Sequence, residues 1–180
     1  MLRTLVAIEA AVAPVPVVRH DFPYRRQGRK APDRAPKLVA SVVEAAGTLV
    51  EEAGVAADRL VLGGRSMGGR ICSMAVAEGL AAAGLVLVSY PLHPPGRPER
   101  LRVQHLPTLT VPCLFVSGTR DAFATPAELE AATAAIPGAV TYVWIDGGRH
   151  DLKGADAQVA GAVRAWLASL RGPPGAGPRD

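Results

Sequence analysis

The 180 residues hold two cysteines, few aromatics and no long apolar run, and each shortage removes a class of protein. Cys72 and Cys113 form no metal-ligand spacing and no disulfide framework. Such thiols are by default buried and inert, which fits a reducing cytoplasm. No apolar stretch approaches the ~18 residues needed to cross a bilayer, so no membrane partner is expected. Met1 to Ala13 superficially resembles a secretory signal, with Arg3, an apolar run and an Ala11-Val12-Ala13 end. Glu9 interrupts that run, however, and Leu5, Ile8 and Val12 recur at helical spacing, which predicts an amphipathic helix. Aromatics make up 4% of the chain, so the formal charge of +4 is not set among them. Arg25, Arg26, Arg29 and Lys30 cluster with only Phe22 and Tyr24 nearby. Without interleaved aromatics or a known module this stretch reads as a solvated loop, and no nucleic-acid partner is expected. Internal repeats are absent.

What is present is enough for one compact domain over residues 1–171, followed by a Pro/Gly-rich tail over 172–180 that is expected to fray. The apolar period alternates between helical and strand types, as a parallel α/β sheet requires. Val15 to Val18 reads as a short β-branched strand that runs into a loop extending to Pro36. Lys37 to Ala53 is predicted helical, with Leu38, Val42 and Leu49 beside Val39, Val43 and Val50 on one face, and Gly54 is placed to end it. Leu60 to Leu62, Leu85 to Val88, Cys113 to Val116 and Ala139 to Ile145 read as strands. Met67 to Gly79 and Ala155 to Leu170 read as helices. Thr125-Pro126-Ala127-Glu128 has the pattern of an N-cap, a proline at the first helical position and an early acid. Tyr90 to Val111, rich in proline, is the longest irregular stretch. The expected fold is an open, mostly parallel α/β sheet of about five strands with helices on both faces.

The strongest chemical signal is Gly64-x-Ser66-x-Gly68, directly after a strand and directly before a helix. In that context the pattern is a nucleophile elbow. A sharp turn holds the serine above the strand ends, and small flanking residues let the chain pass. The following helix N-terminus offers free N–H groups to a developing oxyanion, with the Met67 N–H as the expected donor. A serine also needs a base. Of the four histidines, His20 precedes the serine, and His93 and His105 fall in the Pro-rich stretch. His150 follows a strand through Asp146-Gly147-Gly148-Arg149, at the strand end where open sheets place their sites. Partners of such an elbow follow in the order serine, acid, histidine, and only His150 leaves room for an acid-bearing strand between. Asp121, just past Phe115 to Thr119, is the candidate acid. It would fix the imidazole tautomer and stabilise the imidazolium. A turn or helix-cap role remains open for it. Asp146 and Asp151 are rivals that lie close in sequence to His150. No metal or organic cofactor is implied, and the expected partner is a small acyl compound. Oligomeric state is not legible.

The segments Gly63-Gly64-Arg65-Ser66-Met67-Gly68-Gly69-Arg70, Gly118-Thr119-Arg120-Asp121 and Gly147-Gly148-Arg149-His150 together resemble an α/β-hydrolase of the dienelactone-hydrolase-like group. They are most similar to the small bacterial hydrolase-like proteins grouped with testis-expressed protein thirty and the third subunit of the non-specific lethal complex. Asp21-Phe22-Pro23-Tyr24-Arg25-Arg26 is also similar to that group. The resemblance implies a serine hydrolase with Ser66, Asp121 and His150 in the three roles. Dienelactone hydrolases use a cysteine nucleophile, so their specific activity is not implied. Members normally begin with a strand that ends in a His-Gly-Ala-Gly-like loop, the source of a second oxyanion N–H. This chain starts at what looks like the helix after that strand, as a start codon placed too late would leave it. The missing strand would lie between Val15 to Val18 and Leu60 to Leu62. A catalytically weak hydrolase-like binding or scaffold protein is therefore the alternative expectation.

Overall fold

The computed structural model describes residues 2–170. The tail predicted over 172–180 lies outside the described residues, as does the last residue of the domain predicted over 1–171. Six helices and four strands follow in the order α1 (Leu2–Val12), α2 (Pro23–Arg26), α3 (Ala35–Ala53), β1 (Val61–Arg65), α4 (Met67–Ala77), β2 (Gly84–Val88), β3 (Cys113–Gly118), α5 (Pro126–Thr133), β4 (Val140–Ile145) and α6 (Asp156–Leu170). The sheet order is β1-β2-β3-β4 and every pairing is parallel.

The strand sequences explain the layering. β2 and β3 are buried at every position, as apolar strands covered on both faces must be. Successive side chains leave a strand on opposite faces. Leu85, Leu87, Cys113 and Phe115 accordingly join one core with Leu38 and Val42 of α3 and Ile71 and Ala75 of α4. Val86, Val88, Leu114 and Val116 join the other, with Val12 of α1 and Val159, Val163 and Trp166 of α6. The helix predicted near the N-terminus is therefore a packed element: α1 lies against α6, and Thr4 Oγ1 donates to Asp156 Oδ1 at 2.6 Å. α3 ends where expected, with Gly54 in the left-handed region at φ 61°. Val43 points out of its buried stripe. α5 carries the capping box read from Thr125 and Glu128. Both cysteines are buried and unpaired, and burial pushes each thiol up to about 12.

Two expectations need correction. Val15 to Val18 is not a strand, and the described sheet has four strands, not five. A strand exists only where a neighbour exchanges backbone hydrogen bonds with it. β1 pairs with β2 alone among the described residues, and Val15 to Val18 does not pair with its open edge. Its side chains reflect this, with Val15 and Val18 exposed and only Val17 resting against the second core. Within the loop expected before Pro36, the one-turn helix α2 forms at Pro23. Of the basic cluster there, Arg29 pairs with Asp33, which also pairs with Lys37 of α3.

Candidate functional site

Ser66 occupies the junction between β1 and α4 with φ 53° and ψ −123°, a conformation that L-residues rarely adopt and that costs about 1–3 kcal/mol. The surroundings enforce it. The Ser66 N–H donates to the Val88 carbonyl at 2.8 Å, and the Ser66 carbonyl accepts from the Arg70 N–H at 3.2 Å. The return of α4 across β1 is so close that a Cβ on Gly64 would stand 2.5 Å from the Gly68 carbonyl carbon and the Gly69 nitrogen. Glycine at position 64 is thus a steric requirement of this turn. The Met67 N–H belongs to the first turn of α4, where helix amides have no intrahelical acceptor.

His150 and Asp121 arrive on two loops stitched together at the carboxyl ends of β3 and β4. The Thr119 N–H donates to the Ile145 carbonyl at 3.0 Å and the Arg120 N–H to the Gly148 carbonyl at 2.8 Å. The Gly147 N–H donates to Thr119 Oγ1 at 2.8 Å. Gly118 and Gly148 touch backbone to backbone, leaving no room for a Cβ at Gly118. On this base His150 Nε2 meets Ser66 Oγ at 2.8 Å, and His150 Nδ1 meets Asp121 Oδ2 at 2.8 Å and Oδ1 at 3.0 Å. The three residues singled out in the sequence therefore form one hydrogen-bonded chain. Asp121 is 2% exposed, and its Oδ1 also accepts from the Phe123 N–H at 2.8 Å. The carboxylate is dry and held from two sides.

The rivals go elsewhere. Asp146 accepts from Thr119 Oγ1 and Asp151 from the Lys153 N–H. His20 bonds Ser41 at 2.7 Å and His105 bonds Ser73 at 2.8 Å, while His93 Nδ1 contacts the Pro94 carbonyl at 2.9 Å. His93 Nε2 is 3.5 Å from Glu128 Oε2, near enough for an ion pair but not a directed hydrogen bond.

Two residues of the site escaped the sequence reading. Arg65 Nη2 donates to the His150 carbonyl at 2.8 Å, tying the elbow to the histidine loop. The Phe123 ring stacks on the His150 imidazole with centroids 3.9 Å apart and planes at 29°. Arg65 adjoins the elbow, a weak pointer; Phe123 carried no signal, because its contact depends on the loop bend after Asp121.

A family model of the alpha/beta hydrolase domain matches residues 3–165. Among curated proteins, the pimeloyl-[acyl-carrier protein] methyl ester esterase of Stenotrophomonas maltophilia is 37% identical over 65 residues, which cover 36% of this chain and 25% of the esterase. The match thus spans a quarter of that relative's length. Among solved structures, an alpha-beta serine hydrolase homologue from Coxiella burnetii superposes with a TM-score of 0.73 at 16% identity, covering 92% of this chain and 76% of that one. Est1E from Butyrivibrio proteoclasticus superposes with a TM-score of 0.70 at 17% identity, covering 94% and 82%. At such identities the likeness speaks for the fold alone. With the family match across nearly all of its length, the chain belongs to the α/β hydrolases.

Proposed function

We propose that the chain is a serine hydrolase that cleaves an ester or related acyl compound through an acyl-enzyme, with Ser66, His150 and Asp121 as its catalytic triad. The 2.8 Å contact between Ser66 Oγ and His150 Nε2, backed by a buried carboxylate, carries the reading. An ionised carboxylate only accepts hydrogen bonds. A neutral imidazole that serves both partners therefore keeps its proton on Nδ1, facing Asp121, and offers the Nε2 lone pair to the serine hydroxyl. Ser66 Oγ attacks the acyl carbon while His150 Nε2 takes the hydroxyl proton. The carbonyl oxygen becomes an oxyanion, and the Met67 N–H at the positive end of α4 stabilises it. The bond to the leaving group breaks, and His150 returns the proton to the departing oxygen. Water then attacks the acyl-enzyme with His150 again as base, releasing the acid and restoring Ser66. No metal or organic cofactor takes part.

The partial match to a methyl ester esterase supports an ester as substrate. The three glycine-flanked segments support the dienelactone-hydrolase-like branch, nearest the testis-expressed protein thirty group, as the subgroup. Two buried unpaired thiols support a reducing cytoplasmic setting. The alternative, a hydrolase-like binding protein with little turnover, draws on the outer edge of β1, which has no strand partner among the described residues.

A panel of p-nitrophenyl esters of increasing acyl length tests the proposal. Turnover that disappears in Ser66→Ala supports it. Turnover that is equal in both proteins removes Ser66 from the mechanism, and no turnover of any ester favours the binding protein.

A further inference from the structure

Phe123 engages the site through three separate groups. Its N–H donates to Asp121 Oδ1 at 2.8 Å, its carbonyl accepts from the His93 N–H at 3.2 Å, and its ring stacks on the His150 imidazole with centroids 3.9 Å apart. The next residue is fixed as well: the Ala124 N–H donates to the Asp121 carbonyl at 3.4 Å, and Ala124 is fully buried. His93 arrives from another direction, on the stretch that leaves β2 through Ser89, a buried residue in the left-handed region at φ 49°. With its N–H and carbonyl both engaged, Phe123 keeps freedom mainly in its side-chain torsions. Its ring is half-buried and lies along the imidazole face.

The imidazole needs that contact at one stage of the reaction more than at the others. In the free protein it is held at both edges, Nδ1 by Asp121 at 2.8 and 3.0 Å and Nε2 by Ser66 Oγ at 2.8 Å. Acylation removes the second hold. Ser66 Oγ gives up its proton and becomes an ester oxygen, which has no hydrogen to donate to Nε2. Nδ1 faces both Asp121 oxygens, so the bond that remains is a pivot and not a clamp. The last torsion of a histidine side chain has broad minima and resists turning little. Arg65 fixes the main chain of His150, not its ring. The Phe123 face, by contrast, lies against the ring itself. Deacylation still requires Nε2 to face the acyl carbon. There it takes a proton from the attacking water as the water oxygen bonds to that carbon, and it returns a proton to Ser66 Oγ as the ester bond breaks. An error of about 1 Å at this point costs up to about 10²-fold in rate.

We propose that Phe123 is a positioning residue for deacylation: its ring keeps the His150 imidazole in place while Ser66 is acylated and no longer holds it. The inference rests on the hydrolase reading for the acyl-enzyme, but the hold on the ring does not depend on turnover. Attraction of the Phe123 face to the imidazolium is a different effect. It would favour acylation and deacylation alike, because His150 takes up a proton in both.

Two measurements separate the claims. In single turnovers of p-nitrophenyl butyrate with protein in excess, p-nitrophenol release gives the acylation rate, and intact-mass spectrometry follows the decay of the acyl-enzyme. Phe123→Leu is expected to slow deacylation about tenfold or more and acylation less than about threefold. Phe123→Tyr, which keeps the aromatic face, is expected to restore most of the deacylation rate. The second measurement needs no turnover. Ser66→Ala takes away the partner of Nε2, and the NMR signal of isotope-labelled His150 Cε1–H is expected to stay single and sharp in it. In the double variant, Ser66→Ala with Phe123→Leu, the signal is expected to broaden by exchange. Circular dichroism checks that each variant folds, and Phe123→Met carries both tests if Phe123→Leu does not. Acylation and deacylation slowed equally, or a tyrosine variant no better than leucine, overturns the proposal, as does a signal equally sharp with and without Phe123. If the acyl-enzyme forms and decays at one rate in all variants, the role of Phe123 falls and the hydrolase stands. If no ester acylates the protein while the signal broadens without Phe123, the hydrolase falls together with the deacylation role, and the hold on the ring stands.

Discussion

The Arg65 guanidinium donates to the main-chain carbonyl of His150 across 2.8 Å, so the residue before Ser66 holds the loop that carries His150. This contact bridges 84 intervening residues of chain, 66 through 149, and anchors the backbone of the residue whose imidazole meets Ser66. Misplacing a reacting group by about 1 Å costs up to about 10²-fold in rate. Arg65→Ala is therefore expected to lower kcat about 10–100-fold with little change in KM, and Arg65→Lys to recover part of the loss. Steady-state kinetics beside thermal melts check this. A loss that tracks Tm and appears equally in KM would assign Arg65 a structural role instead.

Asp121 faces His150 Nδ1 with both oxygens while its Oδ1 also holds the Phe123 N–H. Asparagine keeps the shape but presents an amide where an acceptor is needed, and so favours the wrong imidazole tautomer. Asp121→Asn is expected to reduce kcat by about 10³–10⁴-fold, the scale of such a tautomer error. Ester kinetics at saturating substrate measure it.

The crossing of Gly64 over Gly69 has a steric consequence in both directions. A Cβ at Gly64 meets backbone at 2.5 Å, and one at Gly69 meets the Gly64 oxygen at 2.7 Å, atoms that cannot rotate away. Gly64→Ala is expected to cost about 1–3 kcal/mol of stability and to displace Ser66. Gly161 lies inside α6 with nothing within 4 Å of its added Cβ. Gly161→Ala is expected to stabilise the fold by about 0.5–1 kcal/mol, since alanine replaces the most flexible residue in a helix. Denaturant unfolding of the two variants tests the contrast.

His105 provides a pH dependence with a definite sign. Its imidazole is pushed down to about 4, chiefly by burial and then by the Arg70 charge. Between that value and the ordinary histidine range near 6.5 the unfolded chain binds the proton more readily than the folded one. The stability held by the neutral ring is therefore complete above about pH 6.5 and is lost as pH falls toward 4. The gap in urea midpoint between the unaltered protein and His105→Gln should be constant above pH 7 and shrink below pH 6. A gap that is flat from pH 7 to pH 4 would contradict this.

What was legible in the sequence was local. Gly64 to Gly68 between a strand and a helix announces its own geometry, because the turn, the steric demand and the helix end are all made by neighbouring residues. The capping box at Thr125 and the left-handed stop at Gly54 are of the same kind. Leu85 to Val88 was readable because burial on both faces leaves an unbroken apolar run. Val15 to Val18 is richer in β-branched residues but pairs with no strand among the described residues, and no single segment reveals whether it will find a neighbour. Arg65 and Phe123 were missed for the related reason that their partner, His150, reaches them only after β3 and β4 have aligned.

Peptide mapping by mass spectrometry after reaction with a fluorophosphonate tests the hydrolase reading most directly, because the reagent reports an activated serine without requiring the right substrate. The expected result is one adduct, on the peptide containing Ser66, absent from Ser66→Ala and formed far more slowly in His150→Ala. An adduct on another residue, or labelling of Ser66 at an undiminished rate without His150, would mean that the 2.8 Å contact between them does not activate the hydroxyl.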